Sequence, residues 1–138
     1  MNVAILDMGG TVDTQTFHHQ WDKTMPYHTA PAVAALSLLD KEPTEEQIGE
    51  AATMSALAYQ NILPKPALPQ LIQACREMGA LGVNAAHSGT VCGVLFPSFM
   101  PVSEVKQCMT ELTARFPDYT LLDVVPLISG TMDIEKEE

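Results

Sequence analysis

Two apolar runs, ALGVNAAH at residues 80–87 and TVCGVLFP at residues 90–97, meet at the small turn HSG. A connection that short joins neighbouring antiparallel strands, because a parallel pair needs a crossover of roughly a dozen residues or more. The hairpin therefore fixes the direction of one half of a sheet. Two further runs read as strands: NVAIL near the N-terminus and YTLLDVVPLI near the C-terminus. Between them lie segments with helical rather than alternating apolar spacing.

In PTEEQ, Thr44 and Gln47 have the spacing of a capping box, which predicts a helix running to about Ile62. Its expected inner face is Ile48, Ala52, Ser55, Tyr59 and Ile62. ILPKPALP then breaks the helix, because Pro64, Pro66 and Pro69 remove backbone donors and restrict the residues before them. A further helix is expected from about Pro69, with Leu71, Ile72, Cys75 and Met78 inward and Gly79 ending it. Ser103 is the expected N-cap of another helix, which lines up Val105, Met109, Leu112 and Phe116. A short helix over 32–39 and a long functional loop before it complete the reading.

The order strand, helices, strand, strand, helix, strand is that of an α+β ferredoxin-like sandwich, a four-stranded antiparallel sheet with helices on one face. With 138 residues and 46% apolar content, the chain has enough for one core. The expected domain spans residues 1–130, followed by a disordered acidic tail over 131–138. A formal charge of −10 argues against nucleic acid or an anionic membrane as partner. Cys75, Cys92 and Cys108 are odd in number and set among apolar residues, as reduced thiols are, and no leader or spanning segment is evident. The expected location is cytoplasmic.

The opening AILDMGGTVDTQTF has the outline of a haloacid-dehalogenase-type phosphatase, with Asp7 at the nucleophile's place. Gly9 stands where the second acid would, and glycine moves no proton. The turn AHSGT lacks the flanking glycines of a serine nucleophile elbow, and His87 and Ser88 point to opposite sides of an extended chain. Asp7 is better read as bonding the loop backbone at a strand end. His19, Trp21 and His28 show no metal-ligand spacing, and Lys65 reads as a surface residue between prolines.

Three separated blocks do agree in order with one family. AILDMGGTVDTQTFHH, GEAATMSALAYQNILPKPALPQLIQ and GALGVNAAHSGTVCGVLF resemble the C-terminal half of kinases of the GHMP superfamily, most of all the L-threonine kinases of cobalamin biosynthesis. The resemblance implies transfer of the γ-phosphoryl group of ATP, with Mg, to the hydroxyl of L-threonine in a cleft between two domains. This chain corresponds to the second domain alone. The family's Gly- and Ser-rich ATP loop is absent, as is any P-loop pattern, so the implied partner is an N-terminal kinase domain, and the chain by itself is expected to hold neither ATP nor Mg. By the same resemblance, His87, Ser88, Gly89 and Thr90 would border the transferred phosphate, and Asp13, Thr14 and His18 would approach the substrate. No residue of the chain is assigned a catalytic role. The alternative reading is a free-standing ferredoxin-like binding or regulatory module.

Overall fold

Strand β2 (Gly82–Ala85) pairs antiparallel with β3 (Val91–Phe96), placing Val83 opposite Val94 and Asn84 opposite Gly93. In this computed structural model the described residues are 1–9, 42–60, 67–85 and 90–127. Strand β1 (Asn2–Asp7) lies antiparallel beside β3 and carries β4 (Thr120–Pro126) antiparallel on its other side. The strand order β2-β3-β1-β4 gives a four-stranded antiparallel sheet of ferredoxin-like topology, as the sequence predicted. Asp7 does end β1, but the sheet is not the parallel, doubly wound sheet that an Asp phosphatase would place behind it.

One face of the sheet is built for burial. Ala4 and Leu6 of β1, Val83 of β2, and Cys92, Val94 and Phe96 of β3 point the same way and are essentially fully buried. Helix α2 (Leu68–Glu77) contributes Leu68, Leu71, Ile72 and Cys75, and helix α3 (Val102–Arg115) contributes Val105, Met109 and Leu112. These are the i, i+3, i+4 stripes read from the sequence. Gly79 follows α2 with φ +101, a left-handed position where glycine costs least.

The start of α3 differs from expectation. Pro101, not Ser103, is the N-cap: its carbonyl accepts from the N–H groups of Glu104 and Val105 at 3.0 and 3.1 Å. Proline's fixed φ already suits that position, so the helix needs no hydroxyl cap to begin there.

Helix α1 (Glu45–Tyr59) opens with the predicted capping box, Thr44 accepting from the Gln47 N–H at 3.1 Å and Gln47 returning the bond at 2.9 Å. Its inward face, however, is Gly49, Thr53 and Ala56, one position round from the predicted stripe; Ile48, Ala52 and Ser55 are only half-buried. Ile62 lies outside the described residues, and α1 stops at Tyr59 with Gln60 as C-cap. The shift follows from what the helix meets. It crosses the edge of β2, where the backbone of Gly49 lies directly against Gly82, and a side chain on either glycine would strike the other segment. Apolar bulk at that contact would hold the helix away from the strand.

Thr53 completes the edge. Its hydroxyl donates to the Gly49 carbonyl at 3.0 Å and accepts the outward N–H of Val83 at 3.1 Å. An edge-strand donor that would otherwise be stranded in a buried place is thereby paired. We expect Gly82→Ala, which drives a methyl group into the Gly49 carbonyl, to cost about 1–3 kcal/mol in urea denaturation. Thr53→Val, which keeps the shape but strips the acceptor from Val83, should cost about the same. Phe99→Ala, at a side chain 84% exposed, should change stability by less than about 0.5 kcal/mol.

Candidate functional site

At one corner of the sheet, β1 ends and β3 begins side by side, with Asp7 opposite Val91. The Met8 N–H donates to the Thr90 carbonyl at 2.9 Å, carrying the pairing one step past the strands. Asp7 then turns back on its own loop. Its carboxylate accepts the Gly9 N–H at 3.1 Å and the hydroxyl of Thr90. Gly9 has φ +74, a conformation that any larger side chain would strain.

Both donors bond to the charged form, so the Thr90 hydroxyl first and the Gly9 N–H second hold the Asp7 carboxyl below its ordinary range. Asp7 thus acts as the strand-end tie that its sequence setting suggested. Among the described residues no three His, Cys, Asp or Glu side chains gather as metal ligands do.

Of the residues that the resemblance placed near phosphate and substrate, Thr90 is the one that the structure describes, and it is held by Asp7 and by the Met8 backbone. Asp13, Thr14, His18, His87, Ser88 and Gly89 lie outside the described residues, as do the segment 32–39 and the tail 131–138. The chain enters residues 10–41 from Gly9 and leaves residues 86–89 at Thr90, so both stretches attach at the corner that the Asp7 tie fastens.

Beside this corner, the sheet face turned away from the core carries a concavity of about 290 Å³. Val3 and Ile5 of β1, Asn84 of β2 and Val91 of β3 stand around it, and Gly93 forms its floor. A side chain at Gly93 would collide with the Asn84 amide oxygen and come within 2.9 Å of the Val3 methyl. Sequence reasoning missed this group. The apolar alternation was visible, but the pairing of Asn84 with Gly93 depends on a register that no single run states.

The helix starts are poorly suited to phosphate. Helix α1 has Glu45 and Glu46 in its first turn, α3 has Glu104, and α2 starts with Ala67 in a left-handed conformation followed by Pro69. Acidic side chains at a helix N-terminus occupy the field an anion would use. Among the described residues, the helix N-termini are thus occupied by acidic side chains or by proline.

The three thiols are placed as structural groups. Cys75 is fully buried, and burial pushes its thiol up to about 12; Cys92 is also buried, and Cys108 is half-buried with its sulfur toward the Met78 carbonyl at 3.9 Å. Among the described residues no helix is long and apolar enough to cross a membrane.

Comparison with known proteins gives the arrangement a family. The profile "GHMP kinases C terminal" matches residues 32–114, more than half of the chain. The L-threonine kinase of Citrobacter freundii is 31% identical over 137 residues, a match spanning 91% of this chain and 46% of that protein. The L-threonine kinase of Salmonella typhimurium is 38% identical over 132 residues, covering 91% and 44%. The chain thus spans less than half the length of these relatives. Among solved structures, the mevalonate kinase of L. major, in complex with R-mevalonate, superimposes with a TM-score of 0.61 at 18% identity, over 94% of this chain and 43% of that one. The Methanococcus jannaschii mevalonate kinase gives 0.65 at 13% identity, over 92% and 40%. At such identities the two structures establish the fold alone.

The Asp7 tie makes a direct prediction. Because its bonds favour the carboxylate, the stability they add is complete above the unfolded aspartate range and disappears as the pH falls through the lower folded value. In a carbon-13 NMR titration, Asp7 should protonate below the ordinary aspartate range, and in Thr90→Val its midpoint should move up toward that range. Identical Asp7 midpoints in the two proteins would show that the Thr90 hydroxyl does not hold the carboxylate.

Proposed function

The chain belongs to the GHMP kinase C-terminal family, and from that premise we propose that it supplies the C-terminal half of an ATP-dependent kinase whose acceptor is L-threonine. The observation that carries the reading is the identity of 31–38% to two L-threonine kinases across nine-tenths of the chain. The product of the complete enzyme would be O-phospho-L-threonine, made for cobalamin biosynthesis in the cytoplasm.

The division of labour follows from what the described residues lack. They offer no phosphate cradle and no metal cluster, and phosphoryl transfer depends on positioned charge stabilisation. ATP and Mg are accordingly assigned to an N-terminal half carried elsewhere. What this chain brings is a rigid sheet corner. The Asp7 tie fastens the roots of two stretches there, one holding Asp13, Thr14 and His18 and the other His87, Ser88 and Gly89. These residues and Thr90 would border the transferred phosphate and the acceptor, positioning them without taking the proton.

The test is reconstitution. The 138-residue chain alone should turn over no ATP with L-threonine. Joined behind the part of the Salmonella enzyme that it does not match, it should phosphorylate L-threonine in preference to serine or mevalonate. In that fusion, Gly89→Val should lower kcat/KM by about tenfold or more, because a bulky side chain would crowd the backbone where phosphates gather. Leu112→Ala, on the inner face of α3, should instead cost stability, about 2–5 kcal/mol. Turnover by the isolated chain, or a folded fusion without kinase activity, would defeat the reading.

A further inference from the structure

We propose that Asp7 and Thr90 form the subsite that receives the α-ammonium group of the amino acid whose hydroxyl is phosphorylated. The inference rests on the kinase reading above and deepens it. It gives this corner to the acceptor rather than to ATP, and it makes Asp7 a determinant of acceptor specificity.

Hydrogen-bonding capacity at the corner is one-sided. The Met8 N–H goes to the Thr90 carbonyl at 2.9 Å, the Gly9 N–H to the Asp7 carboxylate at 3.1 Å, and the Thr90 hydroxyl to the same carboxylate. These donors are therefore engaged within the corner itself. A threonine hydroxyl has one proton and two lone pairs, so with its proton directed to Asp7 the Thr90 oxygen can only accept from any further partner. An ionised carboxylate has room for about four hydrogen bonds, and the Gly9 and Thr90 bonds leave part of that capacity open. What the pair still offers is acceptor capacity with a negative charge.

Charge favours the same occupant. Asp7 is half-buried at the end of β1, on the side of the strand opposite Ala4 and Leu6, which face the core. Among the described residues no basic side chain pairs with it, and the ion pair that forms joins the Met1 amino group to Glu45 instead. A phosphate group is itself anionic and brings only acceptor oxygens, so this pair would repel it. An α-ammonium group brings three donors and a positive charge, and its bonds to such oxygens are charge-assisted. The pair is also well placed to select. Asp7 lies opposite Val91 on one side and Thr120 on the other, so the sheet presents the carboxylate at a fixed position.

The α-ammonium group takes no part in bond making, and its contacts are equally strong in the bound substrate and in the transition state. Contacts of that kind lower KM and leave kcat alone. The test uses the fusion described above, in steady-state kinetics with L-threonine and in inhibition by (R)-3-hydroxybutanoate, which is L-threonine without its amino group. In the parent fusion the inhibition constant of this analogue should exceed the KM for L-threonine by about tenfold or more. Asp7→Asn removes the charge and keeps an oxygen for Gly9 and Thr90. It should raise the KM for L-threonine by about tenfold or more, with kcat and the KM for ATP within about threefold and the inhibition constant of the analogue within about twofold. Asp7→Glu, which restores the charge, should recover part of the loss. Circular dichroism melts report whether each variant is folded, and Thr90→Val, which should also raise the KM for L-threonine, replaces Asp7→Asn if that variant is not.

In an active fusion, the proposal is overturned by a KM for L-threonine that Asp7→Asn leaves unchanged, or by a parent that binds the analogue as tightly as L-threonine. Equal weakening of both compounds would overturn it too, and would make the tie a structural support. A rise in the KM for ATP or in the Mg requirement would instead place the pair on the phosphate side. An inactive fusion is a different failure: it sinks the kinase reading, and this subsite with it.

Discussion

The backbone contact between Gly49 and Gly82 is the constraint around which the helix-to-sheet geometry is arranged. It lets α1 approach β2 more closely than any side chain would permit. At that distance Thr53 can reach the Val83 N–H, and the edge strand acquires a partner without a fifth strand. A helix held farther out would leave that buried donor unpaired, at a cost larger than the bond itself contributes. The two glycines are therefore coupled. Each is needed because the other segment's backbone occupies the space where its side chain would stand.

With one edge closed in this way, the sheet has two unlike faces. The inner one holds Leu6, Val83, Val94 and Phe96 against α2 and α3, and supplies the core. The outer one is shaped by a third glycine, Gly93, whose missing side chain leaves room for Asn84 and Val3 and creates the concavity. A change at Leu112 acts on the inner side, where the core is.

The candidate site draws on both. Asp7 belongs to β1, a central strand with neighbours on both sides, so its carboxylate is held by a rigid frame although it lies at the surface. Tying Gly9 and Thr90 to that frame brings residues distant in sequence to one corner. The described part of that corner is Asp7, Gly9 and Thr90, in a chain that spans less than half the length of its relatives.

The sequence by itself determined the strands, the hairpin and the inner stripes of α2 and α3, because alternation and helical spacing are local and burial there follows apolar content. It also determined the capping box of α1, whose two bonds lie within four residues, and through three ordered blocks it pointed to the family. The inward face of α1 escaped it. Apolar content favoured Ile48, whereas contact with a strand edge required the small Gly49 and a hydroxyl at Thr53, and nothing local announces which strand a helix will meet. The N-cap of α3 fell to Pro101 because a fixed φ served as well as the serine hydroxyl two residues on. Only the tertiary structure decided the Asp7–Thr90 tie, the Asn84–Gly93 pair and the bulge that exposes Leu122. Each depends on register, a relation between segments far apart in the chain, and a shift of one residue would turn every side chain of a strand to the opposite face.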